Sequence, residues 1–241
     1  MKAIKIYSPN HDRTQRSSKS IKIVVIHYTG MQSERESIIR LTSARSKVSS
    51  HYLINQKGVV FNLVQDKYVA WHAGKSSWLR YKNLNKNSVG IELVNKGHQF
   101  GYENFKKKQI ISLIKLCKKL IKKYKIKKRN IVGHSDIAPL RKIDPGKKFP
   151  WQHLSENQVG IWHEYNLNIL KKFRKIKILK KQDKNMFVRN LSKIGYCFPV
   201  KKNFFFIKTV KAFQSHFRKE LVDGIIDQEC LLIAKNLANK L

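Results

Sequence analysis

Three short, β-branched apolar runs constrain this chain more than any other feature. Ile21–His27 (IKIVVIH), Ser88–Val94 (SVGIELV) and Ile131–Gly133 each read as a buried strand. The first ends at His27, with Tyr28, Thr29 and Gly30 leading out of it; the last delivers His134. His51–Asn55 and Gly58–Val64 flank Gln56–Lys57–Gly58, the signature of a hairpin. Between these strands lie helical patterns. Ser33–Thr42 reads as a short helix, and Asn104–Tyr124 as an amphipathic one with Ile110, Leu113, Ile114, Leu116, Cys117, Leu120 and Ile121 on one face. Strands mixed with helices argue for an α/β fold, a central mixed sheet flanked by helices. Beyond a Lys-rich stretch the periodicity becomes wholly helical: Val188, Leu191 and Ile194, then Ile207, Val210, Phe213 and Phe217, then Leu231, Leu232, Ala234 and Leu237. The expected organisation is a larger α/β domain over residues 1–175, a linker over 176–185 and a small three-helix domain over 186–241.

The 241 residues carry a formal net charge of +36, which creates a field that favours anionic partners in a salt-dependent way. Lys runs occur in helices, loops and linkers alike, a pattern of compositional bias more than of a dedicated binding face. No zinc-finger spacing, aromatic RNA-binding motif or recognition helix accompanies the charge, so no specific nucleic-acid partner is expected. Cys117, Cys197 and Cys230 are widely spaced and form no CxxC unit, which points to neither a disulfide framework nor a thiolate metal site. No stretch approaches the roughly 18 apolar residues of a membrane span. The first twenty residues show no apolar signal-peptide core.

Three residues suited to a metal sit at strand ends or in a tight turn: His27 in VVIHYTG, His134 in IVGHSDIAP and Asp144 in RKIDPGKKFPW. Imidazole and carboxylate are good zinc ligands, and a catalytic zinc typically takes three protein ligands and leaves a fourth position open. A strand end holds such a ligand rigidly while the side chain faces a cleft. Singly, each is weak: a lone His after an apolar strand is more often a core or surface residue, and Asp-Pro-Gly is usually a turn. His11, His98, His153, His163 and His216 keep that ordinary reading.

Together the motifs resemble the zinc N-acetylmuramoyl-L-alanine amidases, which are related to phage-type lysozymes and peptidoglycan-recognition proteins; the AmpD/AmiD branch is the most similar. The segments run in family order: VVIHYT at 24–29, VSSHYLI at 48–54, AWHAG at 70–74, LNKNSVGIELVN at 84–95, VGHSDIAPLRKIDPG at 132–146 and FPW at 149–151. The resemblance covers roughly residues 20–170. It implies that His27, His134 and Asp144 hold Zn²⁺, which acidifies water and polarises the amide carbonyl. It implies Glu92 as general base and Lys142 as stabiliser of the tetrahedral oxyanion. His51, Trp71, His72 and Asn85 fall at positions of cleft wall or substrate contact, with Trp71 equally suited to the core. Ser50 stands where phage-type relatives carry a catalytic Tyr, and Asp144 where they carry Cys, which shifts the base to Glu92 as in the AmpD/AmiD branch.

The C-terminal segment resembles the small peptidoglycan-binding domain through Leu191, Gly195, Tyr196, Val210, Phe213, Gln214, Phe217, Asp223, Gly224 and Asp227, with an irregular stretch between Cys197 and Ile207. The expected activity is zinc-dependent hydrolysis of the bond between N-acetylmuramic acid, or its anhydro form, and L-alanine in peptidoglycan or muropeptides. The alternative is a recognition module of the same fold without chemistry; the joint presence of three ligands, Glu92 and Lys142 argues against it. The wall-binding resemblance points to the cell envelope and the missing signal to the cytoplasm, the envelope being favoured.

Overall fold

The computed structural model describes residues 3–178, 180–198 and 203–241. In chain order its strands are β1 (Ile4–Lys5), β2 (His11–Asp12), β3 (Ile23–Tyr28), β4 (Tyr52–Ile54), β5 (Val60–Asn62), β6 (Val69–Ala70), β7 (Ser77–Trp78), β8 (Tyr81–Lys82), β9 (Ser88–Leu93) and β10 (Ile131–Gly133). The helices are α1 (Glu34–Thr42), α2 (Lys107–Tyr124), α3 (His134–Ile137), α4 (Trp151–Glu156), α5 (Leu167–Lys171), α6 (Lys181–Ile194), α7 (Asn203–Phe217) and α8 (Gln228–Asn239). A mixed sheet runs β1-β5-β4-β9-β3-β10. Only the β4–β5 hairpin is antiparallel within it; β4, β9, β3 and β10 are parallel neighbours. The expected α/β architecture is observed.

Because strand side chains alternate between faces, β3 feeds two different cores. Val24 and Ile26 face one apolar cluster with the buried side of α2, including Leu113, Cys117 and Leu120. Ile23 and Val25 face the other, together with Val132 of β10 and the C-terminal residues Phe187, Leu191, Phe213 and Ile233. The C-terminal helices therefore form the second covering layer of the β3–β10 side of the sheet. Their helices match the expected pattern, but α6 starts at Lys181, so the segment read as a linker over 176–185 is partly helical. Its Lys and Gln residues form helix readily, and Asp183 sits in the first turn where a negative charge suits the helix N-terminus, once Phe187 and Leu191 anchor the helix in the core. Residues 199–202, within the stretch read as irregular, lie outside the described residues.

The C-terminal resemblance residues hold this layer together. Gln214 Oε1 accepts from the Gly224 amide at 2.8 Å and its Nε2 donates to Asp223 at 2.9 Å. Asp227 caps α8 by accepting from the Cys230 amide at 2.9 Å. Buried Arg218 reaches Asp227 at 2.5 Å, and Arg174 forks onto Glu229 at 2.7 and 2.8 Å, a bidentate pair that ties the chain after α5 to α8. Cys117, Cys197 and Cys230 are free thiols, and no described helix is long and apolar enough to cross a membrane.

Candidate active site

β3 and β9 pair in parallel with His27 beside Glu92, so the two side chains share one face of the sheet. On β9 the residues Val89, Ile91 and Leu93 go to the core, which leaves Ser88, Gly90 and Glu92 on the opposite face. β10 ends at Gly133, and His134 opens α3 immediately after it. Asp136 closes that turn by accepting from the Gly133 amide at 2.7 Å. Gly133 has no side chain because the loop carrying Asp144 passes over it: a Cβ there would come within 2.6 Å of Pro145 Cδ. The Ser135 amide donates to the Asp144 carbonyl at 2.8 Å and fixes that loop.

His27, His134 and Asp144 are all buried, and one donor atom from each lies within 4.8 Å of the others. His27 Nδ1 is 2.9 Å from His134 Nδ1, and Asp144 Oδ2 is 3.1 and 3.2 Å from these two nitrogens. The far nitrogen of His134 donates to the Ala73 carbonyl at 3.2 Å, leaving its Nδ1 lone pair for the centre. Arg141 donates to the same carbonyl at 3.0 Å and holds it in place. Burial lowers the pKa of His27 to about 4, with His134 reinforcing the effect and Asp144 opposing it. Burial works against ionisation of Asp144, yet the facing His134 and His27 hold its carboxyl well below the usual carboxylate range. Electron pairs converging from two imidazoles and a carboxylate repel one another unless a cation sits between them. The donor set fits a divalent metal with an open position.

Glu92 lies in the same cleft, and its Oε2 is buried with no hydrogen-bond partner among the described residues. Burial raises its pKa to about 8; Asp144 adds to the rise and Lys142 opposes it. Lys142 lines the cleft beside Asp144, which brings the five residues expected to carry chemistry into one pocket of about 210 Å³. A larger cavity of about 980 Å³ lies at the N-terminal ends of β3 and β10, with Lys22, Arg80, Lys127 and Arg129 among its lining residues and none of this donor set.

Of the four residues expected at the substrate, Trp71 and His72 line the cleft, while His51 and Asn85 stand behind its wall. Trp71 donates its indole N–H to Asp12 at 2.7 Å and keeps a partly exposed face. His51 is fully buried; its Nδ1 accepts from the Gly90 amide at 3.0 Å and its Nε2 meets the Tyr68 carbonyl at 3.1 Å. The Asn85 side-chain carbonyl accepts from the amides of His72 and Ala73 at 3.1 and 2.7 Å, so it shapes the loop that carries them. Three residues absent from the sequence reading also belong to the site. Tyr28 lines the cleft and bonds His98 at 2.8 Å; burial raises its phenol pKa to about 12, helped by Asp144. Ser88 and Gly90 lie against His72. Alternation along β9 was the signal that could have found Ser88 and Gly90.

The family model described as N-acetylmuramoyl-L-alanine amidase matches residues 17–147. The N-acetylmuramoyl-L-alanine amidase AmiD of Escherichia coli is 36% identical over 95% of this chain and 86% of its own length.

The chain belongs to the N-acetylmuramoyl-L-alanine amidase family.

Among solved structures, AmiD from E. coli in complex with anhydro-N-acetylmuramic acid-L-Ala-D-gamma-Glu-L-Lys aligns with a TM-score of 0.79 at 34% identity, covering 95% of this chain and 92% of that one. AmpDh3 from Pseudomonas aeruginosa in complex with anhydromuramic pentapeptide aligns at 0.81 and 33%, covering 95% of both chains. The likeness extends through the C-terminal helices, so this amidase shares their whole architecture and falls in the AmpD/AmiD branch.

Proposed function

We propose that this amidase is a zinc enzyme that hydrolyses the amide between N-acetylmuramic acid, or its anhydro form, and the L-alanine of the stem peptide. The observation that carries the reading is the buried His27–His134–Asp144 trio with Glu92 paired to His27 in the same cleft. Relatives captured with anhydromuramyl peptides support the substrate class. Held by the trio, zinc would supply Lewis acidity to water and to the amide carbonyl.

The remaining chemistry belongs to the chain. Glu92 takes a proton from the attacking water as the water oxygen bonds to the carbonyl carbon. Lys142, whose ammonium lines the cleft, faces the oxygen on which charge builds and stabilises it there. Glu92 then returns the proton to the alanine nitrogen as the C–N bond breaks, giving a lactyl carboxylate and a free amine. A carboxyl lifted toward neutral pH by burial is suited to accept and return a proton in turn. Tyr28 and Trp71, on the cleft wall, are the nearest surfaces for the sugar and the peptide. The helices over residues 186–241 are read as a wall-binding unit on their sequence resemblance; tethering would raise the local substrate concentration.

The test is digestion of purified muropeptides read by mass spectrometry. Free stem peptide beginning at L-alanine should appear, vanish with chelator and return with zinc. Glu92→Gln should lose about 10²–10⁴-fold in kcat while still binding one zinc. Undiminished turnover in that variant would remove Glu92 as the base. Stoichiometric zinc with no peptide released would leave a recognition module instead.

A further inference from the structure

The cavity of about 980 Å³ at the far end of the sheet is assembled from separate parts of the chain. Lys22, just before β3, and Asn130, just before β10, belong to it, and the Asn130 side-chain amide ties them by donating to the Lys22 carbonyl at 2.9 Å. The β7–β8 hairpin faces them, and its tip is held against its own preference. Leu79 has a φ of 52°, a left-handed conformation that is costly for a residue with a bulky side chain. Its amide donates to the Gly195 carbonyl at 2.8 Å, and its carbonyl accepts from the Cys197 thiol at 3.2 Å. Gly195 has no side chain because a Cβ there would come within 2.3 Å of the Trp78 ring. The clamped turn presents Arg80, whose guanidinium stands over the Tyr81 ring at 5.5 Å.

Six cations line this cavity: Lys22, Arg80, Lys82, Lys125, Lys127 and Arg129. Among the described residues none of the six forms an ion pair, and no carboxylate lines the cavity. Arg174 and Arg218, also withdrawn from water, are matched by Glu229 and Asp227. Lys22 and Arg129 are half-buried without such a match, where an anion placed beside them gains most. Compositional bias supplies lysines to any surface, but it does not clamp a strained turn over them. A second cavity of about 400 Å³ shares Lys127 and Arg129 with the first and adds Trp162 and Lys240, again with no carboxylate. The two make a groove along the seam between the sheet and its C-terminal layer.

That groove is too large for a single small anion. Cations interspersed with the partly exposed rings of Tyr81, Phe198 and Trp162 suit a polymer that alternates anionic groups with uncharged faces. We propose that the groove is a second binding site for wall polymer, which it takes through the carboxylates that end the stem peptides. The choice of polymer rests on the amidase reading above. The six residues of β3 separate groove from cleft by about 20 Å, so the bound stretch is remote from the scissile amide. It adds affinity for polymeric wall that a single muropeptide in the cleft cannot gain.

The probe is purified sacculi, sedimented with chelator-treated protein at physiological salt so that nothing is hydrolysed. Arg80→Gln, Lys82→Gln and Lys127→Gln combined should lower affinity about tenfold. Lys115→Gln, Lys118→Gln and Lys119→Gln, on the exposed face of α2, remove the same charge and should change it by less than about twofold, because remote charges are screened. Equal losses in the two triple variants would show that net charge alone binds the wall and would overturn the site, as would an unchanged groove variant. Sacculi with their carboxylates amidated should bind the unaltered chain about tenfold more weakly than intact sacculi do; undiminished binding would overturn the carboxylate assignment. Tighter binding of a single-stranded oligonucleotide than of sacculi, lost in the groove variant, would give the site to nucleic acid instead. Stem-peptide release from soluble muropeptides by the unaltered chain tests the amidase reading by itself, so the two can fail separately.

Discussion

Glu92 is a carboxyl in an apolar strand, and its cost can be measured separately from the base role proposed for it. In the metal-free protein its pKa stands at about 8 against an ordinary 4.5. The folded state therefore binds more protons than the unfolded chain across that window, and this group's contribution to stability falls as pH rises from about 4.5 to about 8. His27, depressed to about 4 from 6.5, has the opposite sign but is common to wild type and variant. Glu92→Gln cannot titrate. Chelated Glu92→Gln should match wild type below about pH 4.5 and become more stable by about 5 kcal/mol above pH 8, read as a widening gap in thermal melts. A gap that stays constant with pH would show that Glu92 is not held protonated. At this scale the sequence was informative where chemistry is attached to a motif: His27, His134, Asp144, Glu92 and Lys142 meet in one pocket. It was less informative where polarity alone had to tell front from back. His51 and Asn85 are polar residues beside the cleft, and only the fold shows that their side chains bond the wall's own backbone.

Elements meet at one buried carboxylate. Asp136 on α3 caps Gly133 and also accepts from the Tyr196 hydroxyl at 2.7 Å and from His216 Nδ1 at 2.8 Å. The His216 ring stacks on Trp151 of α4 at 3.8 Å, and Tyr196 packs on Trp78 at 5.0 Å. The short helix that begins with His134 is thus held by residues 60 and 80 positions away in the chain. Tyr196→Phe removes one bond and leaves Asp136 two partners, so it should cost about 1 kcal/mol. Asp136→Ala strands a buried hydroxyl, an imidazole and an amide together, and should cost several times more. Equilibrium unfolding of the two variants checks the ratio; equal losses would mean the carboxylate is not the hub. No sequence pattern announces this contact. His216 keeps an ordinary place on a helical face, and the Ser-Asp after His134 is explained equally well as a local turn. Strands and helices, by contrast, were legible because β-branched runs and helical spacing are local signals: β3, β9, β10 and α2 fall within a few residues of their expected limits. The helical start at Lys181 was not, since a Lys-rich run becomes helix only when Phe187 and Leu191 find a core.

For the whole molecule the question is whether the sheet can stand without its C-terminal layer. Ile23, Val25, Val132 and Ile137 are at most 1% exposed and share one apolar cluster with Phe187, Leu191, Phe213 and Phe217. Uncovering four such side chains forfeits roughly 1.5–3 kcal/mol each, about 6–12 kcal/mol together. That is comparable to the entire stability of a typical domain, about 5–15 kcal/mol. Loss of Tyr196 and His216 from Asp136 adds to the deficit. The tethering advantage proposed for the C-terminal helices is therefore inseparable from a structural one: a fragment ending at residue 175 lacks a wall of its own core, not just an accessory. It should be recovered insoluble or unfolded by near-UV circular dichroism, and adding zinc should not rescue it, because the proposed ligands His27 and His134 lie on the strand ends that have lost their cover. A soluble fragment that melts cooperatively within a few degrees of the full chain and still releases stem peptide would refute the shared-core argument. It would return residues 186–241 to the role of a separable binding domain.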